Sequence, residues 1–328
     1  MLFFFKTVII WLLTIIFILL SVAFFTLCER HVLGAIQRRQ GPNVIGFYGI
    51  IQPIADGVKL ILKESLIPQS ADTIIFVLAP IINFGLALCL WPVIPFNYGY
   101  VITDFDFGIL YIFTVSSLSV HSIIMAGWAS NNRWAFLGSL RSAAQMISYE
   151  IPLGCTIISV VLLSRSLNLT EIVIQQQNIW NILPLFFMFI IFFICCLAET
   201  SRHPFDLPEA ESELVSGFNV EYAAAGFALF FLAEYSNIIA MSVLNVLFFF
   251  GGWFPLFFTE WFYFIPSNLW ITIKILMFML LFIIVRGTYP RYRYDQLMRL
   301  GWKVYLPISL AFILILACWL YTFAYINI

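Results

Sequence analysis

Residues 8–28 read VIIWLLTIIFILLSVAFFTLC, a run with no charged side chain. A helix rises 1.5 Å per residue, so about 20 apolar residues span the hydrocarbon core of a bilayer. Runs of the same kind recur near 73–93, 107–128, 142–163, 181–200, 217–239, 269–286 and 304–325. In lipid every backbone polar group must be satisfied internally, which leaves helices as the economical reading. The chain is therefore expected to be an all-α integral membrane protein with about eight transmembrane helices, forming one multi-pass domain over residues 1–328. Composition agrees: 62% of the residues are hydrophobic, 10% are charged, and the mean hydropathy is +1.00. The first run is too long for a cleavable signal peptide and leads into CERHVLG, not a small-residue cleavage site.

The stretch 217–250 is ambiguous, being long for one helix and short for two. Charge placement decides it. With eight spans, Arg30, Arg38, Arg39, Lys59, Lys63, Arg133, Arg141, Arg202, Arg286, Arg291, Arg293, Arg299 and Lys303 all fall on one side. The other side keeps Lys6 and Arg165, and Lys274 falls inside a span. That asymmetry is a positive-inside signal, and a ninth span would throw the 286–303 segment across the membrane. The charged-face loops are then expected near 29–72, 129–141, 200–216 and 287–303, with both termini on the opposite side. Acids of that face accompany the bases, which suits a docking surface for a soluble partner and not a nucleic-acid site.

The motifs that would mark a cofactor are missing. There is no GxGxxG after a strand, no P-loop and no HExxH. The histidines at 31, 121 and 203 lack helical metal spacing. The six cysteines form no CxxC pair and lie in or at the ends of apolar spans, where they read as packing residues. Any redox cofactor is expected in other subunits.

Three segments carry the chemistry. In the first loop, Ile51, Ile54, Val58 and Ile61 recur at helical spacing opposite Gln52, Asp56, Lys59 and Lys63. Such an amphipathic helix can lie in the membrane interface, and it could roof a crevice for a lipid-soluble molecule. The segment ETSRHPFDLPEAESELVSGFNVE, 199–221, gathers Glu199, Asp206, Glu209, Glu211, Glu213 and Glu221 around Arg202. The last loop, VRGTYPRYRYDQLMRLGWK, holds four arginines, and it is expected to meet the acidic segment. Within the spans lie Glu150, placed roughly 12 Å deep if its helix starts near Ser142, and Glu234. Intramembrane acids are costly and mark ion or proton routes. Lys274 alone cannot neutralise them all. His121, with Ser117 one turn earlier, is expected to make a polar face toward the bundle.

ERHVLGAIQRRQGPNVIGFYGIIQPIADGVKLILKE, GWASNNRWAFLGSLRSAAQMISYEIP, LAETSRHPFDLPEAESELVSGFNVEYAAAGFALFFLAEYSNII and YPRYRYDQLMRLGWK together resemble the NADH dehydrogenase subunit 1 family. Its members are core membrane subunits of respiratory complex I. The resemblance implies a ubiquinone tunnel walled by Arg30, Arg39, Asp56, Asp206, Arg286, Arg291 and Arg293. It implies a proton path through Glu150, Glu199, Glu209, Glu211, Glu213, Glu221 and Glu234. Ubiquinone would be the substrate. NADH, FMN and iron–sulfur clusters would belong to peripheral-arm partners, and antiporter-like membrane subunits would flank the chain. The setting would be a mitochondrial inner membrane or a bacterial plasma membrane. His121 stands where the family often has tyrosine, and His31 where lysine is common. A proton-coupled transporter, a hydrogenase-type membrane subunit and a structural anchor are the competing readings; a transporter would show an internal repeat, and none is seen.

Overall fold

The computed structural model describes residues 2–206, 217–255 and 265–326. Among these residues there is no strand. In chain order the helices are α1 (Leu2–Ile36), α2 (Gln52–Leu62), α3 (Thr73–Cys89), α4 (Gly108–Ala129), α5 (Arg133–Ser164) and α6 (Leu169–Gln175). They continue with α7 (Phe186–Glu199), α8 (Ala224–Phe249), α9 (Ser267–Thr288), α10 (Tyr294–Arg299) and α11 (Leu306–Ile326). A π-helical turn, Leu300–Tyr305, joins the last two.

Among the described residues, seven helical stretches are long and apolar enough to cross a membrane, and α7 is a shorter apolar helix of 14 residues. The expected fifth span, 181–200, is therefore cut back at its start. Pro184 accounts for this, because proline disfavours helical backbone at the residue before it, and the chain turns through 181–185. The ambiguous 217–250 stretch holds one long helix, α8. It stops at Gly251 and Gly252, whose φ values of +67° and +51° are left-handed and end a helix readily.

The expected loops at 129–141 and 287–303 need correction. α5 begins at Arg133, where Asn132 caps it by accepting from the Trp134 amide at 3.0 Å. Apolar Trp134, Phe136, Leu137 and Leu140 then carry the helix through what charge alone marked as loop. Glu150 consequently lies seventeen residues into α5, about 26 Å from its start and not 12 Å. Likewise most of 294–303 is helical.

α8 is the axle of the bundle: 61% of its most apolar window is buried, against 17% for α1 and 11% for the C-terminal span. α3 and α9 pack on it along with α1, while α5 joins α4, α7 and α11. One hydrophobic core runs from Val22 and Phe25 on α1 through Phe192 on α7 and Phe248 on α8 to Phe282 on α9. The amphipathic α2 buries no residue. Ile54 and Ile61 remain 64% and 79% exposed, which leaves its apolar face free for the headgroup region.

Contacts between the charged segments put them on one face. Asn131 donates to the Ser70 carbonyl at 3.0 Å, and Arg202 and Arg286 both reach Glu29.

Candidate functional site

The centre of that face is a buried ion cluster on three helices and a turn. Glu29, near the end of α1, is 5% exposed. Its Oε1 accepts from Arg286 Nη1 on α9 and lies 3.4 Å from Arg202 Nη1, just past α7. Its Oε2 accepts from the Tyr235 hydroxyl on α8, and the Arg202 guanidinium lies 4.4 Å from the centroid of the Tyr235 ring. One carboxylate thus holds two arginines. Glu29 is not among the residues that the sequence alone marks. The available signal was its place at the end of the first apolar run, directly before Arg30.

A second knot adjoins it. Asp206 Oδ2 lies 3.1 Å from Arg291 Nη2 and 3.0 Å from His203 Nε2. The Tyr292 amide donates to the Pro204 carbonyl at 3.0 Å, and the rings of Phe205 and Tyr292 stack. The segment after α7 and the segment after α9 therefore meet. Burial pushes the Asp206 carboxyl up, but the His203 hydrogen bond and the charges of His203, Arg291 and Arg202 outweigh it and hold it below the usual carboxylate range.

The remaining expected tunnel residues divide. Arg30 pairs with Asp56 on α2 at 2.7 Å, and Gln52 donates to the other Asp56 oxygen at 3.0 Å. That pair ties α2 to the end of α1. Arg39 bonds only locally, to Gln37 at 2.7 Å. Arg293 makes no contact with the described part of the acidic segment, 199–206. It is 78% exposed, with Asp295 at 3.7 Å, and stands at the position that opens α10.

α5 holds both knots in place. Gln145, fully buried, donates to the carbonyls of Ala198 and Phe205 at 2.9 and 2.8 Å. One turn on, the Tyr149 hydroxyl donates to the Leu297 carbonyl at 3.0 Å. At the other end, a Cβ on Gly138 would stand 2.8 Å from the Gly217 backbone, so only glycine allows the 217–222 segment to lie on α5.

The carboxylates form a looser series. Glu221 accepts from Asn132 Nδ2 at 2.6 Å, so one asparagine both caps α5 and holds Glu221. Glu150 is half-buried and accepts from Ser117 on α4 at 2.5 Å. Glu199 is buried and close enough to Glu150 for the two charges to interact. It lines a cavity of about 20 Å³ with Ser116, Ser119, Met146 and Asn237, room for about one water. Glu234 lies half-buried on α8, next to Tyr235 of the ion cluster. Glu209, Glu211 and Glu213 lie outside the described residues. His121 does not face the bundle: it is exposed, its Nδ1 3.3 Å from the Ser117 carbonyl. Ser117, one turn earlier, bonds Glu150 instead of the His121 ring. Among the described residues no group of three or more His, Cys, Asp or Glu side chains is gathered as a metal site, and all six cysteines are free.

These features define a class: a multi-pass helical membrane protein with an ion-paired face and a series of carboxylates set among its spans. The chain belongs to the NADH dehydrogenase family, whose model matches residues 9–317. It is 56% identical over 300 residues to NADH-ubiquinone oxidoreductase chain 1 of Chondrus crispus, covering 92% of each chain. Over 309 residues it is 54% identical to the protein of the same name from Arabidopsis thaliana, covering 94% of this chain and 95% of the relative. A bacterial relative, an NADH-quinone oxidoreductase subunit of Rhodospirillum rubrum, is 55% identical over 304 residues, covering 92% of this chain and 90% of its own.

Proposed function

We propose that the chain is the core membrane subunit of a proton-translocating NADH:ubiquinone oxidoreductase, respiratory complex I, in a mitochondrial inner membrane or its bacterial counterpart. It acts as one membrane domain over residues 1–328. The observation that carries this reading is a shared helix. On α8, Tyr235 bonds Glu29 of the ion cluster, and Glu234 beside it belongs to the carboxylate series.

The quinone passes between α1, α2 and α8, under the apolar face of α2, with Arg30 and Asp56 at the rim. Beyond them stands the Glu29–Arg202–Arg286 cluster, whose guanidinium donors favour an electron-rich headgroup oxygen. Asp206, held by His203 and Arg291, continues the wall toward the peripheral arm. NADH, FMN and iron–sulfur clusters belong to that arm, and this chain's residues bind and orient the quinone.

A charge change at the cluster reaches Glu234 through Tyr235 and α8. Glu150 and Glu199 are the next acids along the route. Glu221, Glu234 and the 209–213 acids complete the route toward neighbouring antiporter-like subunits.

The experiment is photolabelling of the intact complex with a hydrophobic quinone analogue. Adducts are expected on residues 30–62 or 200–222, competed away by ubiquinone. Adducts confined to the outward faces of α3 and α11 would contradict the tunnel.

A further inference from the structure

Lys274 is the one basic side chain set well inside a span among the described residues, and the site above does not use it. It lies seven residues into α9, about 10 Å from the start of that helix, on the face poor in Lys and Arg. It is 3% exposed. Its Nζ donates to the carbonyls of Phe250, Gly252 and Phe254 at 2.6, 3.0 and 2.6 Å. The Trp180 ring covers it, with its centroid 4.4 Å away. Three acceptors require three N–H groups, which only the charged ammonium has.

The cage is built for that charge. The turn through Gly251 and Gly252 needs left-handed backbone, and side chains there would strike Trp180 and Val173 at 2.7 Å. The end of α8 supplies the carbonyl pole of a helix, which favours a cation. No carboxylate bonds Lys274 among the described residues.

A broken line of buried polar side chains leads to it from the carboxylates. Cys196, one turn before Glu199, lies 3.6 Å from Asn245 Nδ2. The Asn245 Oδ1 atom is buried without a hydrogen-bond partner. Gln176 donates to the Leu247 carbonyl at 2.7 Å and accepts from the Gly251 amide at 3.0 Å. The line then ends on the Lys274 cage.

We propose that Lys274 is an electrostatic stop. The positive charge that its three carbonyl acceptors and the Trp180 ring favour closes this line to excess protons, so that a proton held by the carboxylates does not leave through the half of the chain opposite the charged face. A positive charge in a low-dielectric interior repels a second cation strongly, and fixed positive groups exclude protons from other membrane pores. The proposal rests on the proton-path reading given above.

The test is passive proton leak in liposomes holding the intact complex at rest, with an imposed pH gradient and no NADH. Lys274→Gln keeps donors for the cage and removes the charge. It is expected to collapse the gradient faster than wild type and to lose net acidification during turnover, while NADH:quinone reductase activity persists. Lys274→Arg is expected to stay tight. An assembled Lys274→Gln complex as tight as wild type would overturn the proposal. If that variant does not assemble, Gln176→Glu places a carboxylate beside the cage with little change of shape. A leak is expected there too, and a tight membrane overturns the proposal. Failure of the proton-path reading shows elsewhere, as full pumping by a Glu199→Gln complex, and leaves the leak readout unchanged.

Discussion

Glu29 binds Arg202, Arg286 and Tyr235 while nearly inaccessible to solvent. Removing one partner from such a buried set leaves uncompensated charge, a loss of roughly 3–5 kcal/mol. Glu29→Ala is therefore expected to reduce the amount of assembled complex, seen by native gel, while Tyr235→Phe assembles and lowers quinone reductase activity. The arginines of the last loop should separate by partner. Arg291→Ala removes the cation from buried Asp206 and is expected to lower activity at least about tenfold, the scale of a lost charged hydrogen bond of 1.5–3 kcal/mol. Arg293→Ala and Arg299→Ala should change it little, since an exposed charge is worth about 0–1 kcal/mol. Comparable losses in all three variants would contradict the geometry.

Asp206 also sets a pH dependence. Its carboxyl sits below the usual Asp value of about 3.9, so the folded state binds protons less readily than the unfolded one. The knot is fully in place above that usual value and is lost as pH falls through the lower folded value. Acid inactivation of wild type should thus include a component, below the ordinary carboxylate range, that Asp206→Asn lacks. The sequence located Asp206 and Arg291 but not Glu29. Motif reading favours dense clusters, and Glu29 finds its partners 173 and 257 positions away.

At the scale of elements, α5 organises the site. Gln145, Tyr149, Asn132 and Gly138 fix the 198–206, 294–299 and 217–222 segments to one rod. Gly138→Val is expected to force the Gly217 backbone away, with loss of assembly or of activity at normal quinone affinity, whereas Gly154→Ala, whose added Cβ would meet only Phe113 at 3.8 Å, should be silent. The amphipathic face of α2 was legible as helical spacing of apolar residues. What each polar group holds was not legible, because hydrogen bonds to distant backbone leave no periodic trace. Helix ends were hidden for a related reason. Asn132 and Pro184 shift the starts of α5 and α7 by local chemistry that a hydropathy window averages out.

For the whole molecule, the count of apolar runs and the Lys/Arg asymmetry assign four charged segments to one side, and the contacts of Glu29, Asp206, Asn131 and Glu221 tie described parts of those segments and their flanks to one another. The account joins a quinone wall at that face to carboxylates in the spans through α8. The measurement that tests it most directly is protons translocated per NADH oxidised by a purified Glu199→Gln complex in liposomes. Assembly and activity with the membrane uncoupled are measured alongside. The account predicts an assembled complex that still reduces ubiquinone when uncoupled but translocates far fewer protons. A Glu199→Gln complex that pumps at the wild-type ratio would contradict it.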